Sequence, residues 1–590
     1  MQERKYLTIE KDAKQSGKSI SSILPQWLIR FCQPSRMFWL APLIGFTLCA
    51  PSFFMGYQCD DHLLIQNTIG RTIYQQRPIW DYFNWVSTNQ EMASYRERGI
   101  FAWWLPNDFR FHLFHPIASL VHAFQFRFIA NAPWLMHIGL ALLYALLIFL
   151  CAKVLSRFSL SSTALGIGIL LFAVDDTHAY SSGWISSYNT MLCCVFGLVA
   201  LLMHDRWRRQ KSTIGLLFAI VAFLLSLLSS EGGLALMGYL IAYALFVETG
   251  TWRKKAATLI PSSVIVISYL LFYSMQQLGA KGSIGYLSPT DDLWRTTFIV
   301  LSNAIMLVES QVISLPSFSA ILQMTGAQGV VVAVILFIII LYILRAFLFS
   351  NKTVAFFGIG MVLSVVPFTM GMPGDRLLLW AGLGASGLLG ELFAIEAARI
   401  GKLQRIFART LLVSNTILSL LFFIPTLFFT LLLEIPSKAL ERNITSENTV
   451  FLNSAGELYS LYAPAIRYEK GGEWPEHFYS LFGGTDALTV KRTGERTLLT
   501  STSSKGWFSS EWERLKRPKQ LYFKQNDTID MQLMTAVFEK VTADGRPISV
   551  SFNFKRDLSE FRWMKSTKNG PEKCELPPVG EEMQLVLPMF

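Results

Sequence analysis

The sequence predicts an all-α polytopic membrane bundle of about eleven transmembrane helices, followed by a soluble, β-rich α+β domain. Three observations predict it. The chain of 590 residues is 52% hydrophobic and only 16% charged, and its apolar residues gather into many runs of bilayer-crossing length. Its formal charge of +11 is concentrated in short loops between those runs, which is the signature of cytoplasmic loops and not of a nucleic-acid partner. After Pro436 the composition turns polar.

The elements follow in order. Residues 1–36 carry Arg4, Lys5, Lys11, Lys14, Lys18, Arg30 and Arg36, which predicts a cytoplasmic N-terminus. The apolar run at 37–56 follows this long basic lead without a small-residue cleavage site, so it reads as an uncleaved anchor. It ends at Gly56-Tyr57-Gln58-Cys59-Asp60-Asp61-His62, which delivers two adjacent carboxylates to the outer surface. The loop from 57 to 133 holds Trp80, Trp85, Trp103 and Trp104 among Arg71, Arg77, Arg96 and Arg98. Trp favours the headgroup level, so this loop is predicted to lie on the membrane. Within it, His115–Ala130 is too short and polar to span and reads as an interfacial helix.

Further spans are predicted at 134–152, 161–176, 186–204, 213–230, 233–249 and 257–275. Basic residues at 153–157, 204–211 and 253–255 then fall on one side. Residues 276–326 read as a second long outer loop carrying Lys281, Asp291, Asp292 and Arg295. The apolar stretch near 297–308 is too interrupted to read as a span. Spans at 328–348, 353–371, 377–397 and 410–433 complete the bundle, with Arg399, Lys402, Arg405 and Arg409 inside. The transmembrane unit is thus 37–433, and 437–590 is an extracytoplasmic domain. Its hairpin signals are 488–499 about Gly494, and 534–541 with 548–554 about Asp544-Gly545; a helix is predicted near 509–516. The seven cysteines are scattered without paired spacing, so neither a disulfide framework nor a zinc site is predicted.

Ionisable groups beside spans are costly unless used or paired. Four places stand at predicted outer ends: Asp60-Asp61-His62, Asp175-Asp176 with His178, Glu231, and Asp375-Arg376. Each has a plain alternative. Both Asp pairs can cap helices, Glu231 can close a helix hairpin, and Arg376 can reach to headgroups. Their co-occurrence on one face points to an acidic cleft with a cation at its rim. A metal site from His62, His112 and His115 is a further alternative, so a divalent metal is left open.

An Asp-Asp pair after the first span, a long first outer loop and many following spans resemble the C-type (GT-C) fold of membrane glycosyltransferases. The segment from Asp175 through Ser187 is similar to the protein O-mannosyltransferase-like branch, whose His-Pro and Trp-Ile pairs correspond to His178-Ala179 and Trp184-Ile185, with Ala179 departing from the pattern. The resemblance covers 37–433 loosely and omits 437–590. It implies a polyprenyl-phosphate-linked sugar donor, a lipid, glycan or protein acceptor, and a bacterial inner (plasma) membrane. It implies Asp60 as general base, Asp61 supporting it or helping to hold a metal, and Arg376 on the lipid phosphate. Asp176, His178, Glu231 and Lys281 complete the expected substrate-binding set. The competing readings are an O-antigen polymerase or ligase, a transporter or lipid flippase, and a scaffold displaying the C-terminal domain. The unmatched halves and the acidic groups at span ends argue against transport.

Overall fold

The structure, a computed structural model, describes residues 23–586 except 283–292, 316–317, 349–350, 396–400, 454–456, 485, 510–521 and 568–569. The basic residues before position 23, Asp291, Asp292, Arg399 and the helix predicted near 509–516 lie outside the described residues.

Every predicted span contains a helix. Among the described residues seven helices are long and apolar enough to cross a membrane: Pro34–Phe54, Pro133–Leu155, Ile185–Gln210, Thr296–Ile313, Ala327–Arg345, Lys352–Met370 and Lys402–Asn443. The other predicted spans are shorter. Thr213–Ser229, Glu231–Phe246, Ile260–Met275 and Leu379–Ala394 fall in the range of 10–17 residues, and Ser162–Val174 has 13. A count of eleven spans is therefore not established by length. Large apolar side chains such as Leu43, Leu142, Ile214, Phe218, Ile267, Val331 and Ile338 face outward along the bundle. A water-exposed bundle would turn polar residues to those faces; this exterior suits lipid. The chain is an integral membrane protein.

Two regions depart from the sequence reading. Leu293–Ile313 is one continuous helix inside the predicted second outer loop. The polar residues that interrupt its apolar run face protein: Asn303 donates to the carbonyls of Thr369 and Gly371, and Gln311 donates to Asp175. The helical stretch Lys402–Asn443 also outlasts its predicted end at 433. At 1.5 Å per residue, 42 residues reach about 60 Å, well beyond a bilayer core of about 30 Å. A turn at 428–430 separates Ser419–Leu427 from Leu431–Asn443, and this partly buried last segment carries Glu434 to the Asp60 end. A π-helical turn at Ser414–Leu418 interrupts the stretch and directs Asn415 onto the carbonyl of Val312.

The two ends of the bundle differ in charge. At one end Lys153 lies over the ring of Phe38, Arg157 and Arg209 converge on Asp205, and Arg208 pairs with Glu248 at 2.7 Å. The first helix runs from that end to the opposite one, where Tyr57 donates to the carbonyl of Ala130 and His137 bonds the carbonyl of Gly56. Asp60 emerges there. Further along the first outer loop, Pro116–Ile129 forms a short helix where an interfacial helix was predicted.

The C-terminal domain holds two sheets. One has six antiparallel strands in the order Glu582–Leu585, Leu488–Arg492, Thr497–Ser501, Pro547–Phe554, Met534–Val541, Thr528–Asp530. Both predicted hairpins lie in it. The other is mixed, in the order Gly570–Lys573, Arg562–Thr567, Thr449–Phe451, Phe478–Ser480. Phe538, Val550, Phe552 and Trp563 form a core that also takes in Trp103 and Trp104 from the first outer loop. Those two indoles, predicted at the headgroup level, are instead 1% exposed in a protein core. Trp80 alone of the four remains exposed. Three of the four loop arginines are likewise committed: Arg77 pairs with Glu91 through two nitrogens, Arg96 bonds the carbonyl of Leu105, and Arg98 bonds the carbonyl of Ile73 and Tyr468.

Candidate active site

The site is built on the short helix Asp60–Ile69. Cys59, just before it, holds φ +51°, a left-handed backbone that a β-substituted residue adopts only under constraint. The constraint is visible. The Cys59 N–H donates to Glu434 at 2.9 Å, and its thiol to the carbonyl of Thr430 at 3.6 Å. The long helical stretch Lys402–Asn443 thereby fixes where Asp60 starts.

Asp61 is fully buried and accepts from three donors: the Gln58 N–H at 2.9 Å, and the Ser186 N–H and hydroxyl at 2.8 and 2.6 Å. Burial pushes its carboxyl up to about 7 against the pull of those donors and of His62. Trp184 adds a bond from its indole N–H to the carbonyl of Gln58. Asp61 thus joins the first outer loop to the 175–187 segment, and its oxygens are occupied by protein.

Asp60 is different. It is partly exposed, and the hydroxyl of Tyr462 donates to its Oδ1 at 2.8 Å. Burial raises its carboxyl above the ordinary range, while the Tyr462 bond and the Arg376 charge draw it down. Arg376 is exposed and shares a hydrogen bond with Tyr180. It sits in the turn Asp375–Leu377, which follows Pro373-Gly374. Asp60 and Arg376, far apart in sequence, therefore lie within electrostatic reach of one another at one end of the bundle.

His62, buried, bridges two carboxylates: Glu434 at 2.9 Å and Glu469. Lys438 also reaches Glu434 at 2.9 Å. Burial alone would hold the imidazole neutral, but the two carboxylates push it up to about 9.

The 175–187 segment links this group to a second polar cluster. Asp176 accepts from Ser314 and Ser419, Asp175 from Gln311 and Thr177, and His178 meets Tyr144 at 3.2 Å. Asp375 lies within electrostatic reach of Asp176 while its neighbour Arg376 acts on Asp60. Asp176 and His178 are buried members of that lower cluster and not rim groups. Glu231 bonds His115 at 2.5 Å, and His115 approaches Asn189. Lys281 pairs with Asp108 at 2.9 Å on a small sheet of Asn84–Val86, Arg110–His112 and Gly279–Lys281. His62, His112 and His115 engage three separate sets of carboxylates, with Asp81 the partner of His112, so the three-histidine cluster is not formed. Among the described residues no three His, Cys, Asp or Glu groups converge as metal ligands.

Sequence reasoning missed Tyr462, Glu469, Glu434, Ser186 and Tyr180. Glu434 carries a signal, a lone carboxylate after Leu431-Leu432-Leu433. Tyr462 and Glu469 carry none, because they lie beyond the apparent domain boundary.

No family model matches the chain, and no curated protein matches it. Among the solved structures that overlap it are two of one protein. The crystal structure of ArnT from Cupriavidus metallidurans bound to undecaprenyl phosphate is 11% identical, with a TM-score of 0.34 over 75% of this chain and 89% of that one. The apo-state structure of the same protein is 13% identical, with a TM-score of 0.35 over 72% and 83%. At TM-scores below 0.5 neither overlap carries an argument about fold or chemistry.

Proposed function

We propose that this chain is a GT-C-type membrane glycosyltransferase that moves a sugar from a polyprenyl-phosphate donor to an acceptor hydroxyl. The observation that carries the reading is a partly open carboxylate, Asp60, within electrostatic reach of the exposed guanidinium of Arg376 at one end of an apolar bundle. The chemistry needs those two groups. As the acceptor oxygen attacks the anomeric carbon, its proton passes to Asp60. The bond from that carbon to the phosphate oxygen breaks with inversion, and the polyprenyl phosphate departs with its new charge against Arg376. A carboxyl raised above its ordinary range by burial, yet drawn down by a phenol and a cation, is a better base than a fully solvated one.

Asp61 supports this base by fixing the helix that carries it. Asp176 and His178 order the segment beneath the cleft, and Glu231 and Lys281 serve the loop walls through their pairs with His115 and Asp108. The likeness of 175–187 to the O-mannosyltransferase-like branch is carried only by that short segment. The acceptor is a lipid, glycan or protein hydroxyl.

The polarity of the bundle supports a bacterial plasma-membrane location with the Asp60 end and the C-terminal domain outside, because the Lys153, Arg157, Arg208 and Arg209 end meets the positive-inside rule. Purified protein incubated with a panel of radiolabelled polyprenyl-phosphate sugars tests the activity. Label leaving the lipid is the expected result, and retention across the panel overturns the reading. Reporter fusions after residues 90 and 450 test the orientation: both should report the outside.

A further inference from the structure

We infer that the helix Glu457–Glu469 of the C-terminal domain is a wall of the active site, with Tyr462 as the positioning residue that aims the Asp60 carboxylate at the acceptor. The inference rests on Asp60 as the base.

Four observations carry it. First, Tyr462 and Glu469 are seven residues apart, two helical turns, and so share one face. Both reach the helix Asp60–Ile69: Tyr462 at its first residue, Glu469 at its third. The two contacts hold one helix against the other. Second, Tyr462 and Ala465 pack into the apolar core of the membrane bundle and not into the core between the domain's sheets. The helix is shared between bundle and domain, since its Ala463 packs with Phe451, Phe478 and Met564 of the mixed sheet while Tyr462 and Ala465 enter the bundle core. Third, the domain cannot drift. Trp103 donates to the carbonyl of Ser480 at 2.9 Å, and the Glu97 carbonyl accepts from Tyr479 at 2.9 Å and from His477. Gly99, at φ +68°, lies so close to Phe478 that a Cβ there would fall 1.3 Å from its carbonyl oxygen. Fourth, Tyr462 occupies only one oxygen of Asp60. Burial and the Asp60 charge hold the phenol far above its ordinary range, so it stays a donor and does not compete for the acceptor's proton.

Tyr462 acts through Asp60, so its test reads Asp60 directly. The carboxyl is labelled with a carbodiimide, which attacks the protonated form, and the yield at Asp60 is followed against pH by mass spectrometry in the full-length protein. The other groups facing Asp60 are Arg376, Tyr180, Tyr74, Cys59 and Asp61, and they stay unchanged. Tyr462→Phe should raise the labelling midpoint by about one pH unit, and 3-fluorotyrosine at 462, a stronger donor of nearly the same shape, should lower it. Turnover should fall about ten- to a hundred-fold in Tyr462→Phe with the donor KM and the melting temperature unchanged. An unmoved midpoint in both variants overturns the inference whatever the activity, and full kcat in Tyr462→Phe overturns the positioning role. A wild-type protein inactive on every donor sugar removes the glycosyltransferase reading instead, and the labelling result still reports whether Tyr462 governs Asp60.

Discussion

Ser186 donates both its backbone N–H and its hydroxyl to the same oxygen of Asp61, at 2.8 and 2.6 Å, across 125 residues of chain. With Gln58 on the other oxygen, all three partners of Asp61 are donors. Asp61→Asn would turn an amide NH2 against one of them and leave a buried donor unmet, at a cost of about 1–3 kcal/mol. Thermal unfolding in detergent should show a lower midpoint for Asp61→Asn than for wild type. An unchanged midpoint would mean that the Asp61 contacts are not structural.

Asp60→Asn should behave in the opposite way. One oxygen remains to accept from Tyr462, so folding is kept, but the side chain takes no proton at neutral pH. Loss of a general base typically lowers the rate by about 10²- to 10⁴-fold. Turnover of the donor sugar, measured beside the melting temperature, separates the two aspartates. Near-normal turnover returns Asp60 to the role of a helix-terminal carboxylate.

Arg376 is expected to recognise the donor phosphate. A guanidinium presents a planar fork and an ammonium a point charge, so Arg376→Lys should keep part of the donor affinity and Arg376→Ala lose most of it. A charge-assisted contact of about 1.5–3 kcal/mol corresponds to about ten- to a hundred-fold in binding. Donor-lipid affinities of the three proteins in one detergent decide it, and equal values remove Arg376 from the site.

The His62 bridge predicts a stability limit on the alkaline side. The imidazole's folded value, about 9, lies above its ordinary 6.5, so the proton is bound more tightly in the folded protein. The stabilisation is complete below about 6.5 and is lost as pH rises through about 9. Limited proteolysis near residues 443–449 should therefore accelerate above pH 9 in wild type. His62→Gln should be cleaved more readily already at pH 7, with a weaker pH dependence. Identical profiles would show that the bridge does not hold the C-terminal domain.

Much of this arrangement is legible in the sequence. Apolar runs place the helices, alternation about Gly494 and Gly545 places both hairpins, and the positions of Asp60 and Arg376 at span ends point to their meeting. The rest is hidden for identifiable reasons. Tyr462 and Glu469 lie in a polar segment whose contact with the bundle is wholly tertiary. Leu293–Ile313 looks interrupted because Asn303 and Gln311 are paired inside the bundle, and pairing is invisible to a hydropathy reading. Trp103 and Trp104 look like headgroup anchors because composition reports amphipathic side chains without saying which apolar body receives them. The histidines suggest a metal by residue type, but each lies beside a carboxylate that sequence distance conceals.

The burial of Trp103 and Trp104 sets an order on biosynthesis. Both indoles leave the ribosome well before Phe538, Phe552 and Trp563, which enclose them and lie far later in the chain. At roughly 5–20 residues per second the loop waits roughly 20–90 s for its core. During that interval two large apolar rings stand uncovered at the membrane surface, where lipid headgroups or a chaperone can shelter them. The C-terminal domain then completes around a segment already in place, so a chain truncated before residue 449 leaves its first outer loop permanently unfinished.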